Sequence, residues 1–291
     1  VSDTPAADIS TDAELVIRLV REQHPDLAGP LRLVSDGWDN QLYRLGDRYA
    51  VRVPRREVAA HLIEHEQQLL PAIDARVSTR VPVPVRVGIP SVTFPWPWSI
   101  VEWVDGIDGA SVEAYARHGL AEPLAQFVGE LSIPAPEAPR NPVRGVPLAS
   151  RHDVVRNRLR SLSERMEVAD LEQAWRDALE APVWSGPPLL LHGDLHPGNL
   201  LLTDEGGLAA VVDFGDVTSG DPATDLATAW LTFDADARER FRRALPVTPD
   251  AATWRRARGW ALIMGAALAT ASDDNPRMAA LSRHALAQVP L

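Results

Sequence analysis

Apolar and polar positions along the chain set out two different regimes. Thr11 to Gln23 carries Leu15, Leu19 and Val20 at helical spacing behind polar capping residues, which predicts a leading amphipathic helix. Three short runs follow, Leu31 to Val34, Gln41 to Leu45 and Tyr49 to Val53, parted by Asp-Gly and Gly-Asp turn signals in the manner of an antiparallel meander. Glu57 to Ile73 returns to helical spacing, with Leu62, Glu66, Leu69, Leu70 and Ile73 on one face, so that an acid lies among apolar neighbours. Val81 to Val87 and Trp98 to Val104 read as two further strands, broken by the proline-rich turn Pro90 to Pro97.

Beyond Gly106 the pattern becomes mainly helical. Its exceptions are the strand-like pieces Leu189 to Leu191, Leu200 to Leu202 and Leu208 to Val212, and a proline-rich connection from Ile133 to Pro147, a loop or the root of a substrate-binding insertion. Strands first and helices later predict an α+β chain of two lobes, divided as 1–104 and 105–291, rather than a doubly wound sheet. Trp260 to Ala271 is apolar but too short to span a bilayer, and is expected to be a buried helix.

Composition narrows the classes. With 291 residues, 45% of them hydrophobic and 24% charged, the chain is expected to be a folded, enzyme-sized protein. A formal charge of -11 disfavours nucleic acid and anionic membrane as partners, since both are bound through basic surface. Cysteine is absent, which removes disulfides and thiolate chemistry and is compatible with a cytoplasmic location. Val1 to Asp12 lacks a basic-then-apolar run, so no secretory signal is expected there. Lysine is also absent, so every basic side chain other than histidine is an arginine.

The chemistry concentrates in Leu189 to Leu202, LLLHGDLHPGNLLL, and Val211 to Asp216, VVDFGD. An Asp, an Asn five positions later and a distant Asp-Phe-Gly form the spacing that protein kinases use to accept a hydroxyl proton and hold magnesium. Taken singly, Asp194 could cap a turn and Asp213 could end a strand; independent turns do not call for this ordered combination. His192 and His196 invite a zinc site, but Gly193, Pro197 and Gly198 prevent the helix that would put both on one face.

These motifs, with the following GDPATDLA, resemble the aminoglycoside phosphotransferase family over about Val34 to Trp230. The resemblance implies a bilobal, protein-kinase-like fold, with nucleotide bound by the N-terminal lobe and catalysis and substrate binding in the C-terminal lobe. It also implies transfer of the γ-phosphate of ATP or GTP, with Mg2+, to a hydroxyl of a small molecule. Asp194 would be the catalytic base and Asn199 and Asp213 the magnesium ligands. Asp221 and Asp225 match a trailing acid pair, read as structural supports for the loop and a helix start. The family's phosphate-binding strand lysine falls on Arg52, whose planar fork can also hold phosphate oxygens. Its helix partner would be Glu66, with Glu64 and Glu57 as alternatives.

Ser35 to Asn40, SDGWDN, is a plain hairpin turn or a phosphate cover; the resemblance favours the cover, with backbone N–H groups from Gly37 to Asn40 facing the phosphates. The resemblance further assigns the Glu102 carbonyl and the Val104 N–H to the adenine edge. An aminoglycoside is the expected acceptor, since a polycation suits an acidic chain. A macrolide, a nucleoside antibiotic and a metabolic alcohol are the alternatives, as are a catalytically silent nucleotide binder and a metal-dependent hydrolase. Most of the nine tryptophans are expected in the core rather than in a ligand cage.

Overall fold

The computed structural model describes residues 6–271 and 275–290; the first five residues of the stretch expected not to be a secretory signal lie outside them. The chain divides into two compact units, the first comprising Val1–Ala75, Arg80–Val104 and Asp213–Gly215, the second the remainder.

In the first unit, helix α1 (Ala13–Gln23) starts where the Asp12 carboxylate accepts the Leu15 N–H at 2.9 Å. This cap satisfies one of the helix's orphan donors. Strands β1 (Leu31–Asp36), β2 (Asn40–Leu45) and β3 (Tyr49–Pro54) form the expected meander. After helix α2 (Glu57–Asp74), β4 (Pro84–Gly88) and β5 (Trp98–Glu102) complete an antiparallel sheet in the order β1-β2-β3-β5-β4. Its core joins Val16, Leu19 and Val20 of α1 to Tyr43, Val51, Val53, Phe94, Trp98 and Ile100. Each large side chain so buried stabilises the unit by about 1.5–3 kcal/mol. Gly88 is required beside Trp98, because a Cβ there would lie 1.9 Å from the indole ring. Arg52 alternates with the fully buried Val51 and Val53, so the pleat sends it to the other face, toward α2.

The buried stripe of α2 is Ala59, Ile63, Glu66, Leu70 and Ile73. Leu62 and Leu69, expected on it, are only half-buried, because the stripe is rotated by one position toward the smaller Ala59. In α1 the same kind of shift buries Val16 and leaves Leu15 partly exposed.

The second unit is mostly helical, with β6 (Ile107–Asp108), α3 (Ala121–Leu131), α4 (His152–Leu162) and α5 (Ala169–Leu179) preceding β7 (Leu189–Leu191), β8 (Leu200–Leu202), β9 (Leu208–Val211) and β10 (Thr218–Gly220). Helices α6 (Ala223–Leu226), α7 (Thr228–Thr232), α8 (Ala235–Ala244), α9 (Ala251–Thr270) and α10 (Pro276–Gln288) follow. The central α9 packs on α4, α5, α6 and α10 and is buried from Gly259 through Ala266, which accounts for the apolar run there. No described helix is long and apolar enough to cross a membrane. Two small antiparallel sheets, β10-β7 and β6-β8-β9, frame the loop between β7 and β8.

Candidate active site

The loop leaving β7 is fixed by backbone donors before any side chain is aimed. The buried Asp225 carboxylate accepts the N–H groups of His192 at 2.7 Å and Gly193 at 2.9 Å. Burial pushes its carboxyl up, and the neighbouring His192 ring and these two bonds oppose the shift. Gly193 sits at φ 86° with the Asp216 carbonyl oxygen 2.3 Å from where a Cβ would stand, so only glycine fits. His192 Nδ1 accepts the Asp194 N–H at 3.2 Å, which leaves Nε2–H to donate to the Val212 carbonyl at 3.0 Å.

Asp194 thus emerges at the turn with its carboxylate gripped from two sides. Arg144, from the connection after α3, donates to Oδ1 at 2.7 Å, and His196 Nε2 stands 3.3 Å from Oδ2. Burial disfavours the charge, but Arg144 and His196 outweigh it and hold the carboxyl well below the usual carboxylate range. Asn199 donates its Nδ2 to the Asp194 carbonyl at 2.8 Å, an orientation that reserves its amide oxygen as an acceptor. Arg144 also lies 3.7 Å from Asp216, which in turn accepts from Asn141 at 2.7 Å. The two histidines are therefore occupied as orienting groups, and among the described residues no cluster of three His, Asp or Glu is arranged to hold a metal.

Asp221 plays the structural part expected of it: it receives Arg256 through two bonds of 2.6 and 3.2 Å and accepts the N–H of Ala223, the first residue of α6. Both members of that ion pair are about 95% buried.

In the first unit Arg52, Glu66 and Asp213 meet. One guanidinium nitrogen, Nη2, lies 2.6 Å from Asp213 Oδ1 and 3.2 Å from Glu66 Oε1. Burial works to lower the Arg52 pKa, but the two carboxylates prevail and raise it. Glu66 is pushed up to about 7 by burial, with Arg52 opposing the rise and Asp213 reinforcing it. Asp213 has φ 64°, the only non-glycine residue at positive φ among those described, and its side chain is half exposed. This left-handed turn lets the following Phe214 bury completely and give its N–H to Glu66. The expected Arg52–Glu66 pair is present; Asp213, expected as a metal ligand, additionally holds Arg52.

Gly37 requires a correction. Its N–H is donated to the Asn40 carbonyl at 3.0 Å, closing the turn on itself rather than facing outward as a phosphate donor. Arg55 donates to the Gly37 carbonyl at 2.8 Å and pairs with Asp36, and Arg56 pairs with Asp39, so both arginines brace this turn. Asn40 opens β2 opposite Pro54, with its amide oxygen buried and without a hydrogen-bond partner among the described residues. Glu102 ends β5 opposite Tyr49 and pairs with Arg80 at 2.9 Å, and Val104 follows two positions on. Six of the nine tryptophans, Trp96, Trp98, Trp175, Trp230, Trp254 and Trp260, are core residues.

Arg144, Asn141 and Arg256 were not singled out by the sequence. Arg144 lies in a proline-rich stretch without periodicity, and its partner is 50 positions away.

A fold with a five-stranded antiparallel unit, a helical unit and an Asp-x4-Asn loop is that of the kinase-like phosphotransferases, and solved structures agree. Wild-type aminoglycoside 2'-phosphotransferase-IIIa in its GDP complex aligns with a TM-score of 0.70 at 18% identity, covering 96% of this chain and 99% of that one. Macrolide 2'-phosphotransferase MphH from Brachybacterium faecium aligns at 0.61 with 21% identity, covering 93% and 97%. The aminoglycoside phosphotransferase APH(3'')-Id from Streptomyces rimosus aligns at 0.59 with 19% identity, covering 93% and 98%. No curated protein matches by sequence. The chain belongs to the phosphotransferase enzyme family, whose sequence profile matches residues 30–260.

Proposed function

We propose that this protein transfers the γ-phosphate of ATP or GTP to a hydroxyl of an antibiotic-like small molecule. The observation that carries the reading is the Asp194 loop, where the carboxylate is fixed from both sides while Asn199 is turned by its bond to the Asp194 carbonyl. In the step, the acceptor oxygen forms a bond to the γ-phosphorus and the bond from that phosphorus to the β,γ-bridging oxygen breaks. The acceptor proton passes to Asp194, and the products are a phosphate monoester and a nucleoside diphosphate. A carboxylate held this far below its usual range is a weak base, which suits a loose transition state in which the proton leaves late and orientation matters most.

Arg52, fixed by Glu66, is the group assigned to the nucleotide phosphates in place of a lysine. Asn199 and Asp213 supply hard oxygens of the kind Mg2+ takes, few enough that phosphate and water oxygens would fill its other positions. When bound, the ion would neutralise charge on the phosphates. Glu102 and Val104, at the end of β5, are assigned to the adenine edge, and Asn40 to the phosphate side of the β1–β2 turn.

Among acceptors, the solved neighbours are enzymes of aminoglycosides and macrolides, and the chain-wide charge of -11 favours an aminoglycoside. Incubation with labelled ATP or GTP, magnesium and a panel of hydroxyl-bearing compounds, read by mass spectrometry, tests the reading. Gain of one phosphoryl group, abolished in Asp194→Ala while nucleotide binding persists, is expected. Release of inorganic phosphate alone would mark a hydrolase, and undiminished transfer by Asp194→Ala would remove the base.

A further inference from the structure

Two histidines of the first unit take no part in the chemistry above. His61 and His65 lie four positions apart on α2, so helical geometry puts them on successive turns of one face. Their rings meet edge to face, with centroids 5.5 Å apart and planes at 83°. His61 is exposed and His65 half-buried, so the pair is open to solvent.

The other histidines of the chain are engaged. His24, His118, His152, His192, His196 and His284 each have a hydrogen bond or an ion pair with another residue. Among the described residues, neither His61 nor His65 gives a ring nitrogen to a hydrogen bond or an ion pair. Glu57 and Glu64, four positions before His61 and three after it, are in no ion pair among the described residues either, and they lend the pair negative charge.

Imidazole nitrogens with open lone pairs suit Zn2+, Ni2+ and Cu2+, whereas Mg2+ takes oxygen. A metal about 2.0–2.1 Å from each nitrogen stands about 3.2 Å from each ring centroid, so two imidazoles at a tetrahedral angle have centroids about 5.2 Å apart. The observed 5.5 Å is within about 0.3 Å of that, and rotation of one ring about its Cβ–Cγ bond turns both lone pairs to one point. His192 and His196 lack the helix that this spacing needs; α2 supplies it. The run from His61 to His65, HLIEH, has the H-x-x-E-H order that one class of zinc protease carries on a helix. No third His, Asp or Glu completes a set among the described residues, so water fills the remaining positions and the arrangement suits binding rather than hydrolysis.

We propose that α2 carries a binding site for one divalent transition cation, Cu2+, Ni2+ or Zn2+, formed by His61 and His65 and separate from the Mg2+ site assigned above. The bound metal joins two successive turns of the helix that also carries Glu66, and stabilises the folded form to which it binds.

The test uses the full chain, stripped with EDTA and then kept in excess Mg2+, and titrates Cu2+, Ni2+ and Zn2+ separately by calorimetry. One equivalent of each is expected, with Cu2+ binding tightest, as the general order for nitrogen sites requires. Affinity should fall about tenfold or more in His61→Gln and in His65→Gln, and stay within about threefold of wild type in His24→Gln, which removes a histidine elsewhere in the same unit. Thermal unfolding is the second readout: Ni2+ should raise the Tm of the wild type and not that of His61→Gln, where the replaced side chain is exposed. Undiminished affinity in both Gln variants would place the metal elsewhere and overturn the proposal, as would displacement of the cation by Mg2+ or the absence of binding tighter than about 1 mM. Neither readout involves nucleotide or acceptor, so the outcome is independent of the phosphotransferase reading.

Discussion

Arg52 stands closer to Asp213, at 2.6 Å, than to Glu66, at 3.2 Å, so one guanidinium nitrogen ties two carboxylates separated by 147 residues of chain. A cation shared in this way fixes the position of Arg52 and opposes the rise that burial imposes on the Glu66 carboxyl.

Arg52→Ala is expected to lower kcat by about 10²–10³-fold and to weaken nucleotide binding, because the side chain both attracts and orients phosphates. Glu66→Ala should give a smaller loss in the same direction, since the positive charge remains and Asp213 still holds it. A double-mutant cycle on steady-state rates checks the coupling: losses that simply add would dissolve the pair.

The raised Glu66 pKa carries a sign for stability. The fold binds a proton on Glu66 more tightly than the unfolded chain does, so the protonated form adds stability that is complete below about 4.5 and is lost as pH climbs through about 7. Glu66→Gln should therefore flatten the fall in unfolding free energy across that window by about 1–3 kcal/mol. Urea denaturation at several pH values from 4.5 to 8 reads this out; parallel wild-type and variant curves would refute it.

Arg256→Met strands the buried Asp221 carboxylate and should cost about 3–5 kcal/mol, whereas Arg256→Met with Asp221→Leu should recover most of the loss. Thermal unfolding of the three variants decides the matter, and equal melting temperatures for single and double variants would contradict it.

Gly193→Ala forces a Cβ to within 2.3 Å of the Asp216 carbonyl at a φ of 86°. A loss of about 2 kcal/mol or more is expected, together with a fall in kcat, because the loop cannot keep both the Asp225 bonds and the Asp194 position. Wild-type stability in this variant would mean that the loop relaxes freely.

The Asp194, Asn199 and Asp213 motifs stand out in the sequence because each flanks a short apolar strand, and chain order preserves that spacing. The Arg52–Glu66 pair was legible too, since strand alternation and helical periodicity both point inward at those positions. What escaped notice had no local signature. Ile107–Asp108 and Thr218–Gly220 are strands too short to alternate, defined only by their partners Leu201, Leu202 and Leu189 to Leu191. Gly37 was read as a phosphate donor because sequence cannot tell an outward N–H from one closing its own turn. Arg144 sits in a proline-rich stretch with no periodic signal, and only the fold brings it to Asp194.

The three residues Asp213–Gly215 belong to the first unit although the rest of that unit is finished by Val104. On a ribosome, the first unit is therefore translated long before its last pieces exist: Arg52 waits 161 residues for Asp213. Until then, of its two ion-pair partners Arg52 has only Glu66, and no Phe214 seals the helix face. Completion of the first unit is thus timed by synthesis of the second, and a chain released early would carry a sheet whose central cation is only half matched.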